Sequence, residues 1–314
     1  MRRLVAPVCL ALAACGGTEP PAQTTSEFID GFTPNALTEG FTRFVTPAIA
    51  EIAPGKDETY CQWLSDPATD DVDIMDAEGA QSMGGHHVVL YATTLRSPIG
   101  TSRPCTDADQ VSLRYLGAIG GEGVSGAVGK LPKDVVYRLP KGWALMGNVH
   151  YVNYTTKPMA AQSVIDVKMG PANPNASVAS LFVNTVVDEL EIPPGEHTIT
   201  TSCEIQQDLP VVLAANHMHE RGTKVKSVIK RVAGGEEVIR DDTIWAPESV
   251  FAPQMVRYPD GQPNIFKTGD TLQTTCTWNN QEGKTLGFPS EMCVTFAFYL
   301  GSGLQITCVG GHWE

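Results

Sequence analysis

The chain has 314 residues, 42% hydrophobic and 7% aromatic, which suits a globular protein with real cores, with two domains as the ordinary division of that length. Its formal charge is −13 and its pI about 5.0, and no basic stripe runs along it, so nucleic acid is set aside as a partner. Diffuse negative charge of this kind serves solubility more often than binding.

In chain order, the first fifteen residues read as a targeting signal rather than structure. Arg2 and Arg3 precede a short apolar run that ends in Leu12-Ala13-Ala14-Cys15-Gly16. That ending is like a bacterial lipobox and predicts a lipidated Cys15, so the membrane is expected as an anchor only. The residues directly after Cys15 are Gly16 and Gly17, neither acidic, which points to the outer membrane or a periplasm-facing position in the bacterial envelope. Residues 16–27, rich in Gly, Thr, Pro and Gln, read as a flexible tether. Beyond them helical periodicity is weak, and Pro and Gly interrupt most stretches that could sustain it. Short β-rich runs dominate, at 88–93, 144–154, 178–187, 198–205, 210–215, 224–229, 272–278 and 293–300. Many short strands separated by turn residues predict an all-β sandwich or barrel.

An internal repeat predicts two halves. Ile52-Ala53-Pro54-Gly55 precedes Cys61, and Ile192-Pro193-Pro194-Gly195 precedes Cys203. A histidine pair follows in each half, then one further candidate ligand, His150 or Met292, at the same distance from its cysteine. The Pro- and Asn-rich stretch 170–175 marks the boundary, giving domains at 28–172 and 173–314. Six cysteines remain in the mature body: Cys61, Cys105, Cys203, Cys276, Cys293 and Cys308. An even number in an exported chain predicts three disulfides, with fifteen pairings open.

The chemistry sits in the histidines. His217 and His219 are two apart at the end of an apolar run, and a strand continued through them turns both imidazoles to one side while Met218 packs inward. Met292, Val294 and Phe296 share one face of the last long strand. A lone methionine is ordinarily core filler, but two imidazoles with a thioether suit copper better than zinc or magnesium. His86 and His87 are adjacent, so both reach one ion only if the backbone is irregular, and Gly84-Gly85 supplies that freedom. His150 would complete a three-histidine site. His197 and His312 are expected to be non-ligands. A zinc hydrolase at the three-histidine site would need a carboxylate beside the metal, and no Asp or Glu directly flanks His86, His87 or His150 in the sequence.

His86-His87, His150, His217-Met218-His219 and Glu291-Met292-Cys293, in this order and approximate spacing, resemble the motifs of the copper type II, ascorbate-dependent monooxygenases. The resemblance covers roughly residues 52–308. It implies two tandem antiparallel β-sandwich (jelly-roll-like) domains with a copper in each, facing a watery interdomain cleft. His86, His87 and His150 would hold an electron-transfer copper. His217, His219 and Met292 would hold the catalytic copper, where dioxygen hydroxylates a C–H bond. Two coppers per chain, with ascorbate or a similar electron donor, and a small-molecule substrate are implied. So are the bridges Cys61–Cys105, Cys203–Cys308 and Cys276–Cys293. Peptide-hydroxylating members hold a substrate carboxylate with an arginine two residues before the His-x-His pair, and with an asparagine and a tyrosine after the methionine. Here these positions are Ala215, Val294 and Phe296, a more apolar pocket that predicts a different substrate. The alternative reading is a non-catalytic copper-binding envelope lipoprotein.

Overall fold

The computed structural model describes residues 28–313 apart from 111, 112, 127, 129, 188, 251, 289, 302 and 303. The signal, Cys15 and the tether lie outside the described residues. Strands dominate, and all eight β-rich runs named above are strands. The first half holds β1 (Thr42–Val45), β2 (Ile49–Ile52), β3 (Asp57–Trp63), β4 (Val72–Gln81), β5 (Gly85–Thr93) and β6 (Ser102–Pro104). It continues with β7 (Leu113–Gly120), β8 (Gly123–Gly126), β9 (Val135–Leu139), β10 (Ala144–Val152), β11 (Met159–Ala161) and β12 (Ser163–Pro171). The second half holds β13 (Ser177–Val186), β14 (Gly195–Glu204), β15 (Leu209–His217), β16 (Gly222–Lys230), β17 (Glu236–Asp242) and β18 (Val256–Arg257). It closes with β19 (Asn264–Phe266), β20 (Thr271–Asn280), β21 (Cys293–Leu300), β22 (Ile306–Val309) and β23 (His312–Trp313). Among the described residues, no helix is long and apolar enough to cross a membrane.

The sheet order repeats. One large sheet runs β1-β12-β4-β9 and continues β13-β21-β15-β18. The facing sheets contain β3-β10-β5-β7 in the first half and β14-β20-β16-β17 in the second. Taken in chain order, eight strands of each half therefore occupy the same places, and each half is a sandwich of two sheets. The finest trace of the repeat is an asparagine tie. Asn153 donates its side-chain amide to the carbonyls of Ile52 and Lys157, at 2.7 and 2.9 Å. Asn280 does the same to Ile192 and Lys284, at 2.8 and 2.9 Å. The isoleucine of each Pro-Gly turn is thus tied to the end of the same strand.

The two halves share a core. The join in the large sheet is a short parallel pairing, Ser177 with Val135 and Val178 with Val136. Net stabilisation from backbone bonds is about 1 kcal/mol each. Leu213, Val294 and Phe298 of the second half are buried in one cluster with Leu90, Tyr115 and Val149 of the first. Each such side chain contributes about 1.5–3 kcal/mol, so packing rather than the ladder holds the halves together. Tyr115 and Phe298 meet edge to face across the join, ring centres 5.5 Å apart. The second sandwich has its own interior around Phe182, Leu209, Ile229 and Leu272. A third cluster gathers Met218, Trp245, Trp278 and Leu286 beneath the second histidine pair.

The duplication belongs to the scaffold and not to the sites. His150 lies on β10, whose counterpart is β20, whereas Met292 directly precedes β21, the counterpart of β12. Their equal spacing from Cys61 and Cys203 is therefore a coincidence. The histidine pairs are displaced as well. Gly85 pairs with Tyr151 and Gly222 with Trp278, which makes these glycines equivalent. His86 and His87 follow their glycine, while His217 and His219 precede theirs.

Candidate copper centres

The turn between β4 and β5 builds the first histidine group. Gly84 adopts φ +77°, and a Cβ there would fall 2.6 Å from the Val152 carbonyl oxygen. A Cβ at Gly85 would fall 2.3 Å from that of Gln81. Only glycine fits either position. In the ladder that follows, His150 pairs with His87 and Tyr151 with Gly85, so His86 is an extra, bulged residue. The bulge lets adjacent side chains turn the same way, as the Gly-Gly sequence predicts. The Nδ1 atoms of His86 and His87 are 3.0 Å apart. Two nitrogens at ~2.0 Å from one ion and separated by that distance subtend roughly 100°, between the square-planar and tetrahedral angles. The His150 ring centre lies 4.5 Å from that of His86 and 4.9 Å from that of His87. One ligand atom from each of the three lies within 4.8 Å of the others.

A carboxylate that the sequence placed far away joins this group. Asp57, the first residue of β3, forms a short hydrogen bond with Nε2 of His150. A bulge puts it there. Gly55 donates to the Asn153 carbonyl, and Asn153 donates back to the Lys56 carbonyl, so two residues oppose one. Asp57 then stands opposite Val152, on the same face as His150. Without the extra residue it would stand opposite Tyr151 and point to the other side. The expectation that no acidic group lies beside these histidines holds for the linear sequence and fails in the fold. Burial pushes the Asp57 carboxyl up, but the His150 bond and the neighbouring imidazoles outweigh it and leave it below the ordinary carboxylate range.

The second group forms differently. β15 ends at His217 and does not run on through His219. His217 stands opposite Val294, and Ala215 opposite Phe296, with the Phe296 ring centre 6.0 Å from that of His217. Ala215 and Val294 are buried in the core, so in this arrangement the apolar neighbours of His217 are packed wall rather than open pocket. His219 lies in the turn after the strand, its ring centre 5.2 Å from that of His217. The buried Glu291 fixes that turn by accepting from the backbone N–H of His219 at 3.1 Å, that of Arg221 at 2.7 Å and the Trp278 indole at 3.0 Å. Burial raises the Glu291 carboxyl above its ordinary value, with these three donors opposing. Trp245 donates its indole N–H to the His219 carbonyl. His219 directs Nδ1 at the Ser290 carbonyl, 3.2 Å away, and its Nε2 is buried with no hydrogen-bond partner. A neutral imidazole that donates from Nδ1 keeps its lone pair on Nε2, the atom a metal would take. Met292 directly precedes β21 and is partly buried against the shared core, two residues before the Val294 that faces His217. Met218 is wholly buried beside Trp245 and Trp278, as expected for the residue facing away.

The two groups touch. The His86 and His219 ring centres are 5.5 Å apart. His86, His150, His217 and His219 all have exposures of 8% or less. The expected watery cleft is therefore closed here, and the shared core is the reason. Burial, followed by the other imidazoles, lowers the pKa of His87 and His217 well below the ordinary histidine value. Burial likewise lowers His86 to about 3. Burial also lowers His219, against the Ser290 bond. Neutral imidazoles with free lone pairs are what a metal requires. His197 and His312 stand apart. His197, on β14, lines a concavity of about 670 Å³ on the outer face with Glu189 and Glu191, and His312 is exposed on β23.

The three bridges Cys61–Cys105, Cys203–Cys308 and Cys276–Cys293 are all formed. Residues 175–310 match the model of the copper type II ascorbate-dependent monooxygenase, C-terminal domain. Residues 175–310 are therefore similar to the C-terminal domain of that family. His217, His219 and Met292 lie inside the matched stretch, and His86, His87 and His150 lie before it. The donor set of the matched stretch, two neighbouring imidazoles with one orphaned nitrogen and Met292 as a further candidate donor, is of the kind that suits copper. No curated protein matches the chain. Among solved structures, the chain is similar to the major capsid protein P2 from bacteriophage PM2, with 10% identity, coverage of 84% of this chain and 100% of that one, and a TM-score of 0.36. It is also similar to PNGase F, a glycosylasparaginase from Flavobacterium meningosepticum, with 8% identity, coverage of 87% and 99%, and a TM-score of 0.38. Likenesses this remote carry no functional argument.

Proposed function

We propose that the protein is a copper monooxygenase that hydroxylates a C–H bond of a small, apolar organic substrate with dioxygen and an ascorbate-like reductant. The observation that carries this reading is the orphaned Nε2 of His219, held with its ring centre 5.2 Å from that of His217, in the stretch that matches the family model. His217, His219 and Met292 would hold the catalytic copper, and His86, His87 and His150 a second copper that passes electrons to it. Bound copper supplies one-electron redox chemistry and dioxygen activation. The chain itself supplies the rest. Glu291 and Ser290 orient His219, Trp245 packs edge-on against the His217 ring and holds the His219 carbonyl, and the closed packing excludes water from between the two groups. Ala215, Val294 and Phe296 form the apolar surroundings of His217. None can pair with a carboxylate, so glycine-extended peptides are not substrates. Residues 28–172 and 173–314 would be the two domains, tethered through lipidated Cys15 in the cell envelope.

The test is reconstitution with copper, then oxygen uptake with ascorbate across a panel of C–H-bearing compounds. Two coppers per chain with uptake coupled to alcohol product is the expected outcome. His219→Ala should lower the stoichiometry to one and turnover by at least ~10³-fold, as for loss of a group at the reacting centre. Two tightly bound coppers without coupled turnover would instead support the copper-binding lipoprotein.

A further inference from the structure

Asp57 is an acidic side chain hydrogen-bonded to the three-histidine group through His150. It arrives through a bulge that the second half lacks, since Gly195 pairs with Asn280 and Glu196 with Asn279 in unbroken register. A neutral imidazole has one donor nitrogen and one acceptor nitrogen. With Nε2–H given to the carboxylate, the acceptor is Nδ1. The same atom type of His86 and His87 is already paired off at 3.0 Å on the adjacent strand.

We propose that Asp57 is the positioning residue of the first copper centre: it fixes the His150 tautomer so that three Nδ1 atoms converge on the ion, and its negative charge favours Cu(II) over Cu(I) there. The role rests on the copper reading of this site. A carboxylate behind a ligating histidine raises the basicity of the ligand, and its loss typically costs 10–100-fold in metal affinity. Asp57 is about half exposed, which screens its charge and sets the expectation near the lower figure.

The experiment uses the full chain in a His219→Ala background, which leaves one copper site. Asp57→Asn should weaken Cu(II) binding about tenfold and leave Cu(I) binding unchanged. The reduction potential then rises by ~60 mV, since tenfold in a one-electron equilibrium is 59 mV. Asp57→Glu should recover most of both. Affinity within twofold of the parent and an unmoved potential would overturn the role. Nitrogen NMR of the parent without metal is a second check that needs no variant to fold. His150 should show protonated Nε2 and bare Nδ1, and the opposite tautomer would overturn the inference. Failure of the parent itself to bind copper would sink the copper reading of this site, and Asp57's role with it.

Discussion

The two halves are built alike and equipped differently. Eight strands recur in the same order, and the same asparagine tie closes each Pro-Gly turn. The turn between the sheets also recurs, with Gly85 donating to the Ser82 carbonyl and Gly222 to the His219 carbonyl. Yet one half carries its imidazoles after that glycine, on the outgoing strand. The other carries them before it, at the end of the incoming strand and in the turn. A duplicated fold therefore offers the same rim twice without offering the same ligand set twice. The first group is framed by one sheet and its bulges. The second depends on a loop, and the loop depends on Glu291.

That contrast gives the largest expected effect. Glu291→Ala would strand the N–H groups of His219 and Arg221 and the Trp278 indole, all at a buried carboxylate. Each unpaired buried donor costs ~1–3 kcal/mol, so chemical denaturation should show a loss of about 3–5 kcal/mol. Copper should be lost from the second site first. The corresponding contact in the first half is neutral, the Tyr151 hydroxyl with Ser163 Oγ. Ser163→Ala should cost only about 1 kcal/mol and leave copper stoichiometry unchanged. Equal costs for the two substitutions would remove the claim that the second site leans on its loop.

A smaller effect separates the equivalent glycines. An added Cβ at Gly85 meets the Cβ of Gln81 at 2.3 Å, next to the backbone and unable to give way. At Gly222 its nearest neighbours are the Met218 Cε at 2.9 Å and the Met218 Cβ and Trp245 ring at 3.0 Å, a less severe approach than 2.3 Å. Gly85→Ala should destabilise by about 1–3 kcal/mol and Gly222→Ala by less, as read in paired thermal melts. The reverse order would mean that the second turn is the more rigid.

A further effect is on pH. Burial holds the His86 pKa at about 3 in the fold, whereas the unfolded chain titrates near ~6.5. Between these values the unfolded state binds the extra proton. The stability contributed is thus present above pH ~6.5 and lost as pH falls toward 3. The metal-free protein should melt lower at pH 5 than at pH 7, and His86→Leu should flatten that slope.

Much of this was legible in the sequence. Strands such as β15 and β21 pack one face or both, and their apolar runs are plain. The Gly84-Gly85 irregularity could be read because its cause lies next to His86. β4 was hidden, since Asp76, Glu78 and Gly79 break its alternation and its pairing with β12, β8 and β9 makes it a strand. Asp57 was hidden because its place depends on a bulge opposite Asn153, a matter of register between distant segments. The repeat at Asn153-to-Lys157 and Asn280-to-Lys284 was present in the sequence and is the signal that would have aligned the halves correctly. Cysteine-to-ligand spacing aligned Met292 with the wrong strand.

The Cys276–Cys293 bridge has one further consequence. It ties β21 to β20 at the residue next to Met292, closing a loop with a sequence separation of 17. Closing such a loop is worth about 3 kcal/mol. Under reducing conditions the segment that carries Met292 would lack that anchor. A chain whose cysteines are reduced is expected to hold Met292 less firmly than the oxidised one.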